Sequence, residues 1–289
     1  MPPPMPELEG VRHSYVDVNG FRAHVAEAGD PGAPPVVMLH GWPQHWWCWR
    51  KVIPQLAERY RVICPDLRGH GWSDAPPSGY DKPQLTRDLI GVMDALGLER
   101  VHLVGHDWGA MVGFLACLRS PERFERYVAM GITPPLPAGD PKQILGIWKL
   151  YYQLPLTAPI IAPRLVARPG FIKLFFRAGL ARRDAISDED MDLFAQAIAE
   201  RPHVTLGMYR TFLLREFGPM AAGRWAGRLR VPTRVLAGDR DIVVDAKRTR
   251  MAAARYADDM TVQDLHGVGH FVPEEVPDVV GAATLDFFA

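Results

Sequence analysis

Along most of this chain, short apolar runs alternate with stretches in which apolar residues recur every three or four positions. The first patterned segment differs. Residues 13–18 and 21–27 flank Asn19-Gly20, a two-residue turn signal, and predict a β-hairpin. Pro35-Val36-Val37-Met38-Leu39-His40 is a compact apolar run that predicts a strand ending at Gly41. A helical pattern through Val52, Leu56 and Tyr60 follows, and then a second apolar run over 61–66. Leu85, Leu89, Val92, Met93 and Leu96 share one face of a predicted helix over 85–96, which stops at Gly97. A strand over 101–104, a helix over 110–119 and a strand over 127–130 come next. The same rhythm returns near the end: strand 233–237, helix 246–256, strand 260–265 and helix 276–288. Short apolar strands alternating with helices predict an α/β fold with a parallel sheet covered on both faces.

The interval from about 134 to 215 breaks the rhythm. It opens with Pro134-Pro135-Leu136-Pro137 and carries further prolines at 141, 155, 159, 163, 169 and 202. Its apolar residues keep helical spacing: Ile144, Ile147, Trp148 and Tyr151; then Phe171, Leu174 and Phe175; then Leu193, Phe194, Ala197 and Ile198. We read 135–215 as a helical lid inserted in a core formed by 1–134 and 216–289.

Composition narrows the function. Of 289 residues, 48% are hydrophobic and 23% charged, an ordinary globular balance that argues against intrinsic disorder. Lys and Arg number 33, as do Asp and Glu, so no basic excess exists to neutralise a phosphate backbone and nucleic acid is not an expected partner. Cys48, Cys64 and Cys117 are far apart and odd in number, which predicts neither a disulfide framework nor a cysteine zinc site. The opening Met1-Pro2-Pro3-Pro4-Met5-Pro6 lacks the basic and apolar regions of a signal peptide and reads as an extended arm. No apolar stretch is long enough to span a bilayer, so no membrane contact is expected and a cytoplasmic location is. Nothing in the sequence specifies an oligomer.

The chemistry concentrates after the predicted strand 101–104. There Gly105-His106-Asp107-Trp108-Gly109 leads into a helix, and the glycines permit a sharp strand-to-helix turn that lifts the middle side chain above the sheet. The usual occupant of that position is a serine nucleophile; here it is Asp107. The competing reading is that Asp107 only caps the following helix.

Several further segments join this turn: His40-Gly41-Trp42-Pro43, Asp66-Leu67-Arg68-Gly69-His70-Gly71-Trp72-Ser73-Asp74, Gly238-Asp239-Arg240-Asp241 and Gly267-Val268-Gly269-His270-Phe271. Together they resemble the α/β-hydrolase fold family. Within it they resemble the branch with an aspartate nucleophile, the epoxide hydrolases and haloalkane dehalogenases. The substitution of aspartate for serine has a chemical reason. Attack on a saturated carbon by serine leaves an ether that water cannot readily cleave, whereas a carboxylate leaves an ester that water can.

The resemblance implies that His270 activates water against that ester and that Asp241 orients His270. Asp239 and Asp245 are the rival carboxylates, and the Gly-x-x-Asp spacing favours Asp241. His40 and His106 are expected to make structural hydrogen bonds. The backbone N–H groups of Trp42 and Trp108 are the implied oxyanion hole. Core packing is the other reading of the Trp run at 42, 46, 47 and 49.

Epoxide opening also needs an acid for the departing oxygen, and related epoxide hydrolases use lid tyrosines. Tyr209, before Arg210, matches one of these. The second donor is Trp148 or Tyr152, and lid-core packing is the other reading of Tyr151 and Tyr152. Trp148 with Trp108 would instead make a pair of indole donors for halide, the haloalkane dehalogenase alternative. Trp108 and Val112 stand near where relatives acting on fluoroacetate carry arginines, so a carboxylate substrate is not expected. The first expectation is therefore a cofactor-free, metal-free epoxide hydrolase for a small apolar substrate. A non-catalytic small-molecule receptor on the same fold is the alternative from another class.

Overall fold

Asn19 and Gly20 both adopt positive φ, 46° and 78°. That is the turn that matches strand twist in a tight hairpin, and it sets β1 (Arg12–Val18) antiparallel to β2 (Phe21–Ala28). The protein is described by a computed structural model covering residues 3–136, 153–225 and 227–289. The hairpin joins β3 (Pro35–Leu39), β4 (Arg61–Pro65), β5 (Val101–His106), β6 (Phe124–Met130), β7 (Thr233–Gly238) and β8 (Met260–Leu265) in one sheet. The spatial order is β1-β2-β4-β3-β5-β6-β7-β8, and every neighbouring pair from β4 to β8 is parallel.

Helices complete the core: α1 (Ile53–Ala57), α2 (Lys82–Ala95) and α3 (Trp108–Arg119). Between β6 and β7 the described residues form α4 (Leu154–Thr157), α5 (Ile161–Val166), α6 (Pro169–Gly179), α7 (Asp188–Ala199), α8 (Pro202–Thr211) and α9 (Phe217–Ala221). A π-turn, Phe212–Glu216, joins α8 to α9. The chain closes with α10 (Ala246–Tyr256), α11 (Val272–Glu275) and α12 (Pro277–Phe288). This is the α/β-hydrolase architecture. No helix among the described residues is long and apolar enough to cross a membrane.

The strand order fixes where a ligand can bind. From β3 the chain crosses to β4 on one side and then returns to β5 on the other. Such a reversal opens a crevice at the carboxyl ends of the two strands. The loop after β3 carries Gly41 and Trp42; the bend after β5 is Asp107.

Three local details go beyond the expectations. The predicted strand 101–104 runs on through His106 and the predicted helix 110–119 starts at Trp108, so Asp107 alone makes the bend. The predicted helix 276–288 is α12, which starts at Pro277, and a short helix that was not expected, α11, precedes it; each has proline in its first turn, where a missing N–H costs nothing. In α6 the residues noted for their spacing, Phe171, Leu174 and Phe175, are not the most buried ones. Ile172 and Phe176 are fully buried while Leu174 is 58% exposed.

Candidate active site

Asp107 sits at φ 50° and ψ −121°, a left-handed conformation that a non-glycine residue adopts at a cost of about 1–3 kcal/mol. Two backbone hydrogen bonds hold it there, Asp107 N–H to the Met130 carbonyl and Met111 N–H to the Asp107 carbonyl, each 3.0 Å. Its side chain makes no capping bond to α3, so the helix-cap reading fails. The neighbours leave no spare room. A Cβ on Gly109 would lie 2.4 Å from the carbonyl oxygens of Leu39 and His40, and a Cβ on Gly41 would lie 2.4 Å from the Asp107 Cβ. Glycine at both positions lets the elbow press against the end of β3.

The Asp107 carboxylate is almost fully buried. Its Oδ2 accepts the Trp42 backbone N–H at 3.0 Å. Burial raises its pKa above the ordinary carboxylate range, opposed by the charge of His270 and by the Trp108 and Trp42 backbone N–H groups. Of the two expected backbone donors, the Trp42 N–H is thus hydrogen-bonded to this carboxylate.

His270, on the loop after β8, sets its Nδ1 3.0 Å from Asp241 Oδ2 and its Nε2 3.9 Å from Asp107 Oδ1. The other Asp241 oxygen accepts the Val243 N–H at 2.8 Å. Burial drives the His270 pKa down, but the Asp241 charge, the hydrogen bond with it, and then Asp107 and Glu275 outweigh burial and lift it to about 9. Asp241 is lowered even though burial works against its charge, because His270 holds it. The rival carboxylates are occupied elsewhere. Asp239 accepts the Gly267 N–H at 2.8 Å, and Asp245 caps α10 through the Arg248 N–H at 2.9 Å.

The two neighbouring histidines tie loops together. His40 Nε2 accepts the Leu67 N–H at 2.9 Å, and His106 Nε2 donates to the His270 carbonyl at 2.8 Å. Of the Trp run, Trp46 and Trp49 have no solvent exposure and serve the core.

An aromatic roof packs on Trp42 and Trp108. Tyr209 of α8 is buried, and its ring meets Trp42 at 5.3 Å and Trp108 at 5.5 Å, both edge-to-face. Phe175 stands on Trp42 at 5.0 Å and Phe212 on Trp108 at 4.9 Å. Trp42 Nε1 donates to Thr205 Oγ1, also on α8, at 2.9 Å. Tyr151, Tyr152 and Trp148 lie outside the described residues. Among the described residues no cluster of three or more His, Cys, Asp or Glu could hold a metal ion.

A family model for the alpha/beta hydrolase fold matches residues 34–277. The chain is 31% identical to Epoxide hydrolase 1 of Siraitia grosvenorii, over 97% of this chain and 99% of the relative. It is 34% identical to Epoxide hydrolase A of Mycobacterium tuberculosis, over 94% and 95%. The chain belongs to the epoxide hydrolase family. Among solved structures, the ligand-free epoxide hydrolase CorEH superposes with a TM-score of 0.85 at 29% identity, covering 96% of this chain and 98% of that one. The protein is thus a hydrolase of the α/β-hydrolase fold.

Two features of this epoxide hydrolase family member escaped the sequence reading. The first is Glu275, whose Oε2 accepts the backbone N–H groups of Ala181, Arg182 and Gly269, all at 3.0 Å. It joins the end of α6 to the His270 loop, and the His270 N–H donates to the Gly179 carbonyl at 2.8 Å beside it. Adjacent acidic residues in the apolar stretch Phe271-Val272-Pro273-Glu274-Glu275-Val276 were the available signal. The second is Lys82, fully buried beside Glu216 at 3.3 Å. In the sequence it is an unremarked first-turn residue of α2, and nothing local marks it as buried.

Proposed function

We propose that this hydrolase opens a small apolar epoxide through a covalent ester on Asp107 and releases a vicinal diol. One observation carries the reading: a strained, buried carboxylate has one oxygen on a backbone N–H and the other facing a histidine paired with a second carboxylate. Asp107 Oδ1 attacks the less hindered epoxide carbon and the C–O bond breaks. Tyr209, on the lid we assign to 135–215, gives its proton to the departing oxygen. The aromatic roof favours an apolar substrate.

The charges then exchange roles. The resting His270 is an imidazolium, since its pKa stands near 9. Asp107 is one of the charges that hold it there, and esterification removes that charge. The imidazolium then gives up its proton, which restores the Tyr209 hydroxyl by way of solvent. Neutral His270 takes a proton from water as the water oxygen bonds to the Asp107 Cγ. Negative charge develops on Oδ2 against the Trp42 and Trp108 N–H groups, which are fixed in place before the reaction. Collapse breaks the acyl C–O bond, the departing alkoxide takes the proton of the new carboxylic acid, and the diol, the Asp107 carboxylate and the His270 imidazolium result. Water adds once and all protons are accounted for.

A second reading has one observation in its favour. Trp108 Nε1 is buried and no hydrogen-bond partner for it is found among the described residues, which suits a halide donor of a haloalkane dehalogenase. A receptor without turnover would have no use for the His270–Asp241 pair. Assay with racemic styrene oxide and with 1-bromobutane separates the three. Diol from the epoxide, no bromide release and no diol from Asp107→Asn are the expected results. Bromide release without diol supports the second reading, and ligand binding without any turnover supports the receptor.

A further inference from the structure

Lys82 is a charged side chain with no solvent exposure, and it packs against two aromatic rings of the candidate site and its roof. Its ammonium lies 4.0 Å from the centre of the Trp108 ring and 5.3 Å from that of Phe212. It donates to the Met208 carbonyl at 3.1 Å and lies 3.3 Å from Glu216 Oε2, while its own backbone N–H donates to Glu216 Oε1 at 2.6 Å. Met208 immediately precedes Tyr209, and Trp108 immediately follows Asp107. Glu216 closes the π-turn that follows α8, and such turns recur at functional sites.

A buried ion pair is a weak device for stability, because desolvation consumes most of the attraction. Apolar side chains would fill this seam between core and lid at less cost. Lysine here supplies what they cannot: a cation that holds one aromatic face and one backbone carbonyl at the same time. Burial pulls its ammonium below the ordinary lysine range, while Glu216 and, further off, Asp107 keep the charge on it.

We propose that Lys82 is a positioning residue for epoxide opening, fixing Tyr209 over Asp107 by gripping the Met208 carbonyl on one side and the Trp108 ring on the other. The proposal rests on the reading of Asp107 and Tyr209 given above. It predicts that Lys82 serves the first half-reaction, in which Tyr209 gives its proton, and spares the second, which belongs to His270 and Asp241.

The test is rapid-quench single turnover with styrene oxide, resolving formation of the alkyl-enzyme from its hydrolysis. Lys82→Met alone leaves Glu216 buried without its partner and endangers folding, so the decisive protein is K82M/E216Q, which removes both charges. Alkylation in K82M/E216Q is expected to fall about 10- to 100-fold, with hydrolysis within about 3-fold of the parent enzyme. Adding Tyr209→Phe completes a double-mutant cycle. If Lys82 acts through Tyr209, the loss caused by K82M/E216Q shrinks to about 3-fold or less in the Y209F background. Unchanged alkylation in folded K82M/E216Q overturns the proposal. So do equal losses in both half-reactions, or losses that multiply in full with Y209F. If Y209F alone leaves alkylation unchanged, the reading of Tyr209 falls first and takes the proposal with it.

Discussion

At the scale of single residues, the site works by setting one charge against another. Asp107 is pushed toward neutrality by burial and held ionised by His270 and two N–H groups. His270 is held ionised by Asp241 and Asp107. Each charge favours the other, and in the proposed reaction this would couple the two half-reactions. His270→Gln removes the base and leaves the nucleophile. The expected outcome is a burst of alkyl-enzyme that then persists, with hydrolysis slowed by about a thousandfold or more. Intact-protein mass spectrometry after mixing with excess epoxide reads it directly, and an unmodified protein would contradict the assignment. Asp107, Asp241 and His270 were legible in the sequence because each lies in a short glycine-marked turn after a strand. Lys82 and Glu275 were not. A charged residue becomes buried only through contacts from distant parts of the chain, and no local pattern records them.

At the scale of elements, the helical insertion is fastened to the catalytic loops at defined points. Glu275 gathers three N–H groups from the end of α6 and the His270 loop. Arg50 lies 2.6 Å from Asp190 of α7 and 2.6 Å from Glu274 of α11, and Trp47 Nε1 donates to Asp190 at 2.6 Å. Trp42 is bonded to Thr205 of α8. The helices between β6 and β7 and the His270 loop are therefore mechanically linked. Glu275→Ala leaves three N–H groups, that of Gly269 buried, without their acceptor, a loss of about 1–3 kcal/mol. Hydrogen exchange should speed up together over 179–182 and 269–270 in that variant. Acceleration of one segment without the other would refute the link. Strands and core helices were readable because buried parallel strands form short apolar runs between amphipathic helices. The facing of α6 was not readable from Phe171, Leu174 and Phe175 alone: Ile172 and Phe176 are fully buried, and Phe175 packs on Trp42.

At the scale of the whole molecule, buried imidazoles set the pH range of stability. His45, His70 and His106 are fully buried and their pKa values fall to about 3, mainly through burial. The unfolded chain binds protons at these positions below the ordinary imidazole value and the folded protein does not. Stability is therefore lost as pH falls, by roughly 1 kcal/mol per histidine at about one unit below 6.5. His270 has the opposite sign. Its folded pKa is raised to about 9, so its contribution is full below the unfolded imidazole value and is lost as pH rises toward 9. Thermal melts should peak near neutrality and decline on both sides, with the alkaline decline shallower in His270→Gln. An alkaline decline unchanged by that substitution would contradict the placement of the His270 charge. The global order of the sheet was the least legible feature in the sequence. Alternating strands and helices predict a parallel sheet, but the crossing from β3 to β4 and back to β5, which opens the crevice, is a choice between topologies that share one pattern.

The covalent ester is the centre of the account, and heavy-oxygen water tests it most directly. On the proposed mechanism, in a single turnover with enzyme in excess, water attacks the Asp107 Cγ and not the epoxide. One heavy oxygen should therefore appear in the peptide carrying Asp107, while the diol stays unlabelled. Heavy oxygen in the diol with none in that peptide would mean that water opens the ring directly, and the nucleophile assigned here would be wrong.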